Sequence, residues 1–404
     1  MGRRHHDGHP SKGRHLGKSM NILPIVLALS LPFPAEMKQS SADVSRVRVM
    51  LANRIAKREI PGVVSMVFQS GRVVMADAQG FADVDQKIPM AQDTMFQVWS
   101  MTKPVTAAAA VIAAEQGYLV LDEPVEKYLP AFKTVKVKTP SGEFVSPVKK
   151  PTIRHMLSHT SGLGSADPGG MSDEQKFALT LPDYAKLLGK DPLQTQPGTE
   201  INYSGVGINI VAAIIEMTVP QKSFEKFVQT QIFDKLSMKD THFFLPTAKQ
   251  SRLAKGYSEW KDGKWVEFEH DRFRKGAKFA NGAGGLYSTA GDMGKFINSF
   301  LPGANPTVVT PAGIRTMTTI QSGNLLMDGD DARGFGLGFS IVRGAAGQAY
   351  LNSVGAFGHT GAFGTEFWAD PSGNYSAVFM VQGLGLSDAP RKSFKTMVNA
   401  MMSR

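Results

Sequence analysis

Hydrophobic residues recur at three- and four-residue steps near the start of the chain and then alternate with polar ones. The first pattern predicts a helix over residues 41–60, whose apolar stripe consists of Val44, Val47, Leu51 and Ile55. Alternation at 62–68 and at 72–78, on either side of Ser70-Gly71, predicts two strands joined by a turn. The patterned part of the chain therefore begins with a helix and a hairpin.

The middle of the chain has mainly helical periodicity. Helices are predicted at residues 105–114, 172–188, 206–217, 224–236 and 288–300. Pro182 is expected to divide the second of these, because proline removes a hydrogen-bond donor inside a helix. Alternation returns at 255–269 around Asp262-Gly263, which predicts a hairpin.

The last quarter of the chain returns to strands. They are predicted at residues 335–342, 348–352, 365–369 and 375–381, followed by a helix over 390–402. Isolated hairpins are marginally stable, so the strands from both ends are expected to share one sheet. The predicted class is α/β, with a mostly antiparallel, helix-flanked sheet domain (41–82 and 330–404) and an inserted all-helical domain (83–329). A cleft between these parts should have Ser100 at its floor.

Composition narrows the functional classes. The 404 residues are 42% hydrophobic and 20% charged, which is ordinary for a globular protein. The absence of cysteine excludes disulfides and thiol catalysis. The net charge is +10, but no basic run is interleaved with aromatic residues, so nucleic acid is not an expected partner. No stretch is apolar for the roughly 18 residues of a membrane span.

Residues 1–40 are interpreted as a signal-like or disordered tail. Basic residues precede a short apolar stretch, and Ala28-Leu29-Ser30 resembles a cleavage site. If residues 1–35 act as a signal peptide, the protein is periplasmic or secreted. The alternative is a cytoplasmic protein with a misplaced start or cloning tail, for which Met20 or Met37 is the natural first residue.

Ser100 and Lys103 are the leading candidates for chemistry. They lie three residues apart at the start of an alanine-rich apolar helix, so the hydroxyl and the amine can meet on one face. A lysine in such a dry place loses its proton easily and can act as a base. Ser-x-x-Lys also occurs at 146–149, 223–226 and 258–261, but among charged and turn residues that favour a solvated lysine.

With other motifs set aside, the remaining chemistry needs a nucleophile, a base and an oxyanion site. The chain has no Gly-x-Ser-x-Gly and no His-Glu-x-x-His, and no metal or organic cofactor is implied. Tyr203 follows a turn and precedes a helix, so its hydroxyl can project into a cleft. A glycine-rich segment at 357–365 can bring backbone N–H groups close to a substrate.

These pieces resemble the serine β-lactamase and penicillin-binding-protein-like family. Ser100-x-x-Lys103, then Tyr203, then His359-Thr360-Gly361 follow the family's order, the last resembling its Lys-Thr-Gly element in a His-Thr-Gly form. Flanking blocks agree over roughly residues 42–400: 154–162 (RHMLSHTSG), 197–204 (PGTEINYS) and 285–293 (GLYSTAGDM). The nearest resemblance is to the class C type and its relatives, the family VIII carboxylesterases.

The resemblance implies a β-lactamase/transpeptidase-like fold and assigns roles to residues. Ser100 would be the nucleophile, with proton transfer shared between Lys103 and Tyr203. The backbone N–H groups of Ser100 and Ala362 would form the oxyanion hole. His359, Thr360, Gly361 and Gly205 would lie at the substrate, His359 and Thr360 steadying the tyrosine or a substrate carboxylate.

Gly205 is a departure from the family pattern. Many members have Tyr-x-Asn, and the asparagine contacts an amide of β-lactam or peptide substrates, which glycine cannot do. A small-molecule ester is therefore the expected partner, cleaved by a serine carboxylesterase that prefers short acyl chains. The alternatives are a β-lactamase or D-alanyl (D-amino-acid) peptidase, an acyltransferase, or a non-catalytic penicillin-binding-like sensor. The sequence does not indicate an oligomeric state.

Several other residues have a structural interpretation. Arg154, His155 and His159 are expected to satisfy terminal carbonyl groups at a helix end. Trp99 and Trp368 are expected to form walls of the cleft or core.

Overall fold

The computed structural model describes residues 41–268, 270–327, 329–344 and 350–403. In these residues the helices are α1 Ser41–Ala56, α2 Thr102–Glu115, α3 Ile153–Leu157, α4 Asp173–Phe177, α5 Leu181–Leu188, α6 Gly205–Thr218, α7 Phe224–Val228, α8 Ala290–Asn298, α9 Pro311–Thr318 and α10 Ala389–Met402. The strands are β1 Gly62–Gln69, β2 Arg72–Asp83, β3 Ile88–Pro89, β4 Phe96–Gln97, β5 Val137–Lys138, β6 Phe144–Val145, β7 Tyr257–Lys261, β8 Lys264–Glu267, β9 Tyr287–Ser288, β10 Arg333–Phe335, β11 Ser340–Val342, β12 Phe357–Thr360, β13 Glu366–Asp370 and β14 Tyr375–Met380.

Eight strands form the main sheet, in the order β10-β11-β12-β13-β14-β1-β2-β3. Every neighbouring pair is antiparallel. The two ends of the chain meet where β1 pairs with β14 and Val64 lies opposite Met380. The prediction of a mostly antiparallel sheet flanked by helices is confirmed.

Successive side chains of a strand point to opposite faces of the sheet. In the central strand β1 the side chains on both faces are buried, each set in its own core cluster. On β1, Val64 and Met66 belong to the large core cluster that also contains α2 and α6. Val63 and Val67 point the other way, into a smaller cluster with residues of α1 and α10. The sheet thus separates a two-helix layer from the helical part that supports the cleft.

Helix α2 lies in the middle of this core. Residues 102–113 are all buried, as the apolar sequence predicts, and Lys103 is only 3% exposed. The small alanine side chains present a flat surface on which α6 packs. Lys103 is the second residue of this helix, and its amine is surrounded by protein instead of water. The loss of hydration disfavours the charged form of the amine.

The predicted strand 335–342 is wrong as a single element. The chain forms β10, turns, and returns as β11, with Phe335 opposite Ser340. Gly338 takes a positive φ of 74° in this turn, and a Cβ on Gly336 would lie 2.1 Å from the Met317 carbonyl oxygen. The predicted strand 348–352 lies partly outside the described residues, and its described part is not a strand.

The middle of the chain is mainly helical but not all-helical, which corrects the expectation. Two-stranded sheets form between β4 and β9, β5 and β6, and β7 and β8, the last being the hairpin predicted around Asp262-Gly263. The segment 172–188 divides into α4 and α5, with Pro182 in the first turn of α5. The division into domains at residues 82 and 330 remains a prediction.

Candidate active site

Ser100 and Lys103 meet as their spacing predicts. Ser100 lies in a single 3-10 turn, Trp99–Met101, directly before α2. The Lys103 Nζ donates to Ser100 Oγ at 2.9 Å and to the carbonyl oxygen of Ala283 at 2.9 Å. Trp99 has a positive φ of 47°, a costly conformation for a bulky residue that marks functional sites.

The Lys103 amine is poised between its two protonation states. Burial lowers its pKa from 10.5 to about 7, because the charged form has lost its water. Its Nζ lies 4.9 Å from the centre of the Tyr203 ring. A large fraction of the lysine is therefore uncharged at neutral pH, beside a hydroxyl that can give it a proton.

The carbonyl group that accepts from Lys103 belongs to Ala283, in the segment 282–285. The sequence alone did not indicate a contact between this segment and Lys103. The Ala283 N–H donates to Asn209 Oδ1 of α6 at 3.1 Å, and Thr106 Oγ1 of α2 donates to the Gly282 carbonyl oxygen at 2.7 Å. A Cβ on Gly282 would lie 2.9 Å from the Cβ of Ala212. Three of the four residues in this segment are glycines, which permit such close packing, and this composition was the available signal.

Tyr203 lies on the opposite wall, just before α6, whose N-cap Ser204 accepts from the Gly207 N–H at 3.2 Å. The side chain is 37% exposed, but its hydroxyl points inward, 3.5 Å from His359 Nε2. Burial raises the pKa of Tyr203 to about 12, and a hydrogen bond with Ser100 lowers it in part. The phenol is therefore protonated at neutral pH and within reach of the candidate nucleophile.

His359 lies on β12 and is the polar residue next to the Tyr203 hydroxyl. Its Nδ1 lies 2.7 Å from the carbonyl oxygen of Thr360, so Nδ1 carries the proton and Nε2 can accept from Tyr203. Burial and then the charge of Lys103 lower the pKa of His359 to about 3. The imidazole is thus a neutral acceptor, which the sequence alone did not indicate.

Gly361 and Ala362 continue β12 towards Ser100. A Cβ on Gly361 would lie 2.4 Å from the carbonyl oxygen of Val98, so glycine lets this edge approach the turn that carries Ser100. The backbone N–H groups of Ser100 and Ala362 donate to no other described residue. Two free N–H groups beside a serine are what an oxyanion hole requires.

Space for a substrate lies on both sides of Tyr203. A cavity of about 370 Å³ is lined by Ser100, Tyr203, Thr360, Gly361 and Ala362, among others. A second cavity of about 330 Å³ shares Tyr203 and Thr360 and adds His359, Phe335 and Arg333. The structure thus gathers Ser100, Lys103, Tyr203, His359, Thr360, Gly361 and Ala362 at one place.

Gly205 lies at the first position of α6, against the segment that holds Lys103. A Cβ built on it would lie 3.3 Å from the Cβ of Ala283. The position is therefore close to the site but in neither of the two cavities.

The residues interpreted as helix-end groups make other contacts. Arg154 forms two hydrogen bonds with Asp122, at 2.6 and 2.8 Å. His155 closes a capping box at the start of α3, and the His159 side chain accepts from the Ser204 N–H at 3.2 Å. None of the three side chains bonds a terminal carbonyl oxygen in the described structure: Arg154 and His159 have polar partners on distant segments, and His155 accepts from the Thr152 N–H at the start of its own helix.

The two tryptophans differ in position. Trp368 is a core residue, 1% exposed, and its Nε1 donates to Asn399 Oδ1 at 3.0 Å. Trp99 lies at the site, with its ring centre 5.0 Å from that of Phe363 in an edge-on contact. Trp99 precedes Ser100 and Phe363 follows Ala362, so this contact joins the two segments that carry the N–H groups of the candidate oxyanion hole.

The described ranges contain neither a cluster of metal-binding side chains nor a membrane-spanning helix. There, no group of three or more histidine, aspartate or glutamate side chains is arranged to hold a metal ion. No helix of these ranges has both the length and the apolar character needed to cross a bilayer. The signal-like segment at 1–35 lies outside the described residues, and the localisation stays a prediction.

A serine and a buried lysine on one helix, with a tyrosine and a strand edge facing them, define the β-lactamase-like class of site. The family model for Beta-lactamase matches residues 47–397, which is most of the chain. The chain belongs to this family, and the resemblance to serine β-lactamases and penicillin-binding-like proteins is confirmed.

One relative in sequence and two solved structures are similar to this chain. Esterase EstB of Burkholderia gladioli is 27% identical over 89% of this chain and 93% of its own length. The structure of EstCE1, described as a hydrolase with promiscuous acyltransferase activity, aligns with a TM-score of 0.74 at 24% identity, over 89% of this chain and 99% of EstCE1. A class C β-lactamase from Rhodobacter sphaeroides aligns with a TM-score of 0.66 at 20% identity, over 88% and 99%.

Proposed function

We propose that this protein is a serine hydrolase that cleaves carboxylic esters with short acyl groups through an acyl-Ser100 intermediate. The observation that carries the proposal is the buried Lys103 amine, 2.9 Å from Ser100 Oγ, at a cavity with two free N–H groups. A pKa of about 7 makes that amine a usable base at neutral pH.

Acylation begins with the uncharged Lys103. Its Nζ takes the proton from Ser100 Oγ as the oxygen attacks the ester carbonyl carbon. The carbonyl oxygen gains negative charge and accepts from the N–H groups of Ser100 and Ala362, which are fixed before the reaction. Tyr203, protonated because of its raised pKa, gives its proton to the departing alcohol and recovers one from Lys103.

Deacylation reverses these roles. Water enters where the alcohol left, gives a proton to the uncharged Lys103, either directly or through the Tyr203 hydroxyl, which passes its own proton on to Lys103, and attacks the acyl carbon. The bond to Ser100 Oγ then breaks, the serine regains its proton, and the free acid departs. His359 remains neutral throughout and accepts from the tyrosine hydroxyl, which keeps the phenol directed at the reacting atoms.

Two features support short esters over amides. Gly205 offers no side-chain amide, so a β-lactam or peptide amide would lose a hydrogen bond on entering the site. The edge-on contact between Trp99 and Phe363 joins the segments that carry Ser100 and Ala362, and we propose that this pair limits the acyl group to a small one. The names of two relatives, an esterase and a hydrolase with acyltransferase activity, agree with this substrate class.

A substrate panel tests the proposal. We expect kcat/KM for p-nitrophenyl acetate and butyrate to exceed that for the dodecanoate and for nitrocefin by about tenfold or more. A D-alanyl dipeptide should be a poor substrate, and an added short alcohol should yield some transesterified product. Preference for nitrocefin or the dipeptide would overturn the assignment of esters as substrates. If no acyl-enzyme formed with any substrate, the proposal that the protein is a serine hydrolase would fail.

Replacement of Gly205 separates the amide contact from simple crowding. Gly205→Asn supplies the missing amide, and Gly205→Ala supplies the same Cβ near Ala283 without it. We expect the ratio of nitrocefin to ester turnover to rise in the asparagine variant relative to the alanine variant. Equal ratios in the two variants would show that the residue at 205 does not select against amides.

A further inference from the structure

His159 is a buried histidine that the mechanism above does not use. It follows α3, has a positive φ of 59° and is completely buried. Its carbonyl oxygen accepts from the Asn202 N–H at 2.8 Å, and its side-chain Nδ1 accepts from the Ser204 N–H at 3.2 Å. The two donors belong to the residues immediately before and after Tyr203.

The imidazole ring also lies against the tyrosine. The ring centres of His159 and Tyr203 are 4.6 Å apart with planes inclined at 40°, and the ring centre of Phe335 lies 4.9 Å from that of His159 in a nearly perpendicular contact. Tyr203 is 37% exposed, so its position depends on the residues behind it rather than on enclosure. His159 therefore hydrogen-bonds the backbone N–H groups on both sides of Tyr203, and its imidazole lies against the tyrosine ring.

Only one protonation state of His159 suits these contacts. Because Nδ1 accepts from a backbone N–H, it has no proton, and the neutral ring carries its proton on Nε2. Burial, followed by the positive charge that Lys103 carries when protonated, lowers the pKa of His159 well below 6.5. Nε2 is buried with no hydrogen-bond partner among the described residues. An unpaired buried N–H group costs free energy, and such a group in a native structure calls for an explanation other than stability.

We propose that His159 is a positioning residue for Tyr203, holding the segment 202–204 so that the phenol stays directed at Ser100. The proposal rests on the proton-transfer role assigned to Tyr203 above. A misplacement of about 1 Å in a catalytic group costs on the order of a hundredfold in rate. The buried hydrogen bond to Ser204 therefore has a kinetic consequence as well as a structural one.

A matched pair of amides tests the hydrogen bond. The Oδ1 of His159→Asn can occupy the place of Nδ1, and asparagine tolerates a positive φ, whereas the amide of His159→Gln reaches the place of Nε2. We expect kcat for p-nitrophenyl acetate to fall about tenfold or more in the glutamine variant and only about threefold in the asparagine variant. KM should change little in both, and thermal unfolding measures any loss of fold.

A double-mutant cycle with Tyr203→Phe distinguishes positioning from general damage. If His159 acts through the phenol, His159→Gln should lower kcat in the Tyr203 background and have little effect in the Tyr203→Phe background. An equal loss in both backgrounds, or no loss with the tyrosine present, would overturn the inference. If Tyr203→Phe alone left kcat unchanged, the proposed role of Tyr203 would fail instead, and the two failures are thereby told apart.

Discussion

Residues 100–103 and 223–226 both read Ser-x-x-Lys and both lie where a helix begins, yet their serines meet different partners. Ser100 Oγ accepts from the side-chain Nζ of Lys103 at 2.9 Å. Ser223 Oγ accepts from the backbone N–H of Lys226 at 3.2 Å, as an ordinary helix cap. Lys103 is buried, whereas Lys226 extends into solvent.

The remaining two copies of the pattern agree with the second case. Lys149 and Lys261 are both exposed, and Ser146 Oγ accepts from Lys136 rather than from Lys149. The sequence spacing therefore permits a serine–lysine contact but does not cause it. Burial of the lysine under α6 and the segment 282–285 removes the water that would otherwise compete for the amine.

The largest expected effect comes from removing the two serine hydroxyls in turn. Ser100→Ala should lower kcat for p-nitrophenyl acetate by roughly four powers of ten, because the bond-forming oxygen is gone. Ser223→Ala serves as the matched control and should leave kcat unchanged. Retention of turnover by Ser100→Ala, measured on protein free of contaminating esterase, would remove Ser100 from the nucleophile role.

Removal of the two lysines should separate activity from stability. Lys103→Met should lower kcat by roughly 10³-fold, within the range of general base catalysis, while Lys226→Met should not change it. The same Lys103→Met variant should be more stable than the parent, since a buried amine costs free energy that methionine does not. Denaturant unfolding of all three proteins at several pH values measures this.

The stability gain depends on pH in a defined direction. The Lys103 amine titrates near 10.5 when unfolded and at about 7 when folded, so the unfolded chain binds more protons between these values. The cost of burying Lys103 is therefore largest below pH 7, roughly 5 kcal/mol, and disappears above pH 10.5. The Ala283 carbonyl oxygen left without a donor offsets about 1–3 kcal/mol of the gain. A difference in unfolding free energy between Lys103→Met and the parent that is the same at every pH would contradict a depressed lysine pKa.

The rate should follow the same titration in the wild-type protein. Below about pH 7, kcat/KM should rise roughly tenfold per pH unit, because protonated Lys103 cannot accept the serine proton. The pKa values of His359, about 3, and Tyr203, about 12, lie outside the neutral range, so neither accounts for a limb near 7. A profile without an inflection between about pH 6 and pH 8 would assign the base to another group.

Much of the site was predictable because its first contact is local. Positions 100 and 103 lie on one face of a helix, and the alanine-rich run after them identifies that helix as buried. Alternation likewise predicted β1, β13 and β14, and each predicted end differs from the observed end by no more than one residue. These features depend on near neighbours, which a single sequence displays.

The rest depended on contacts between distant segments. The Ala283 carbonyl oxygen reaches Lys103 across 180 residues of sequence. His159 was interpreted from its place after α3, whereas its partner is the Ser204 N–H on another segment. The turn between β10 and β11 was missed because Gly336 and Gly338 lie in an apolar run that also fits one strand. Tertiary packing decided each of these, and local periodicity does not encode it.

The smallest expected effect sharpens the comparison of the two serines from the side of stability. Ser223→Ala removes the acceptor for the Lys226 N–H and should lower the free energy of unfolding by about 1 kcal/mol, a typical value for a helix cap. Ser223→Thr keeps an acceptor and should lose less. Denaturant midpoints of the two variants, with ester turnover measured on the same samples, make the check. An equal loss in both, or a fall in turnover, would show that Ser223 does more than cap α7.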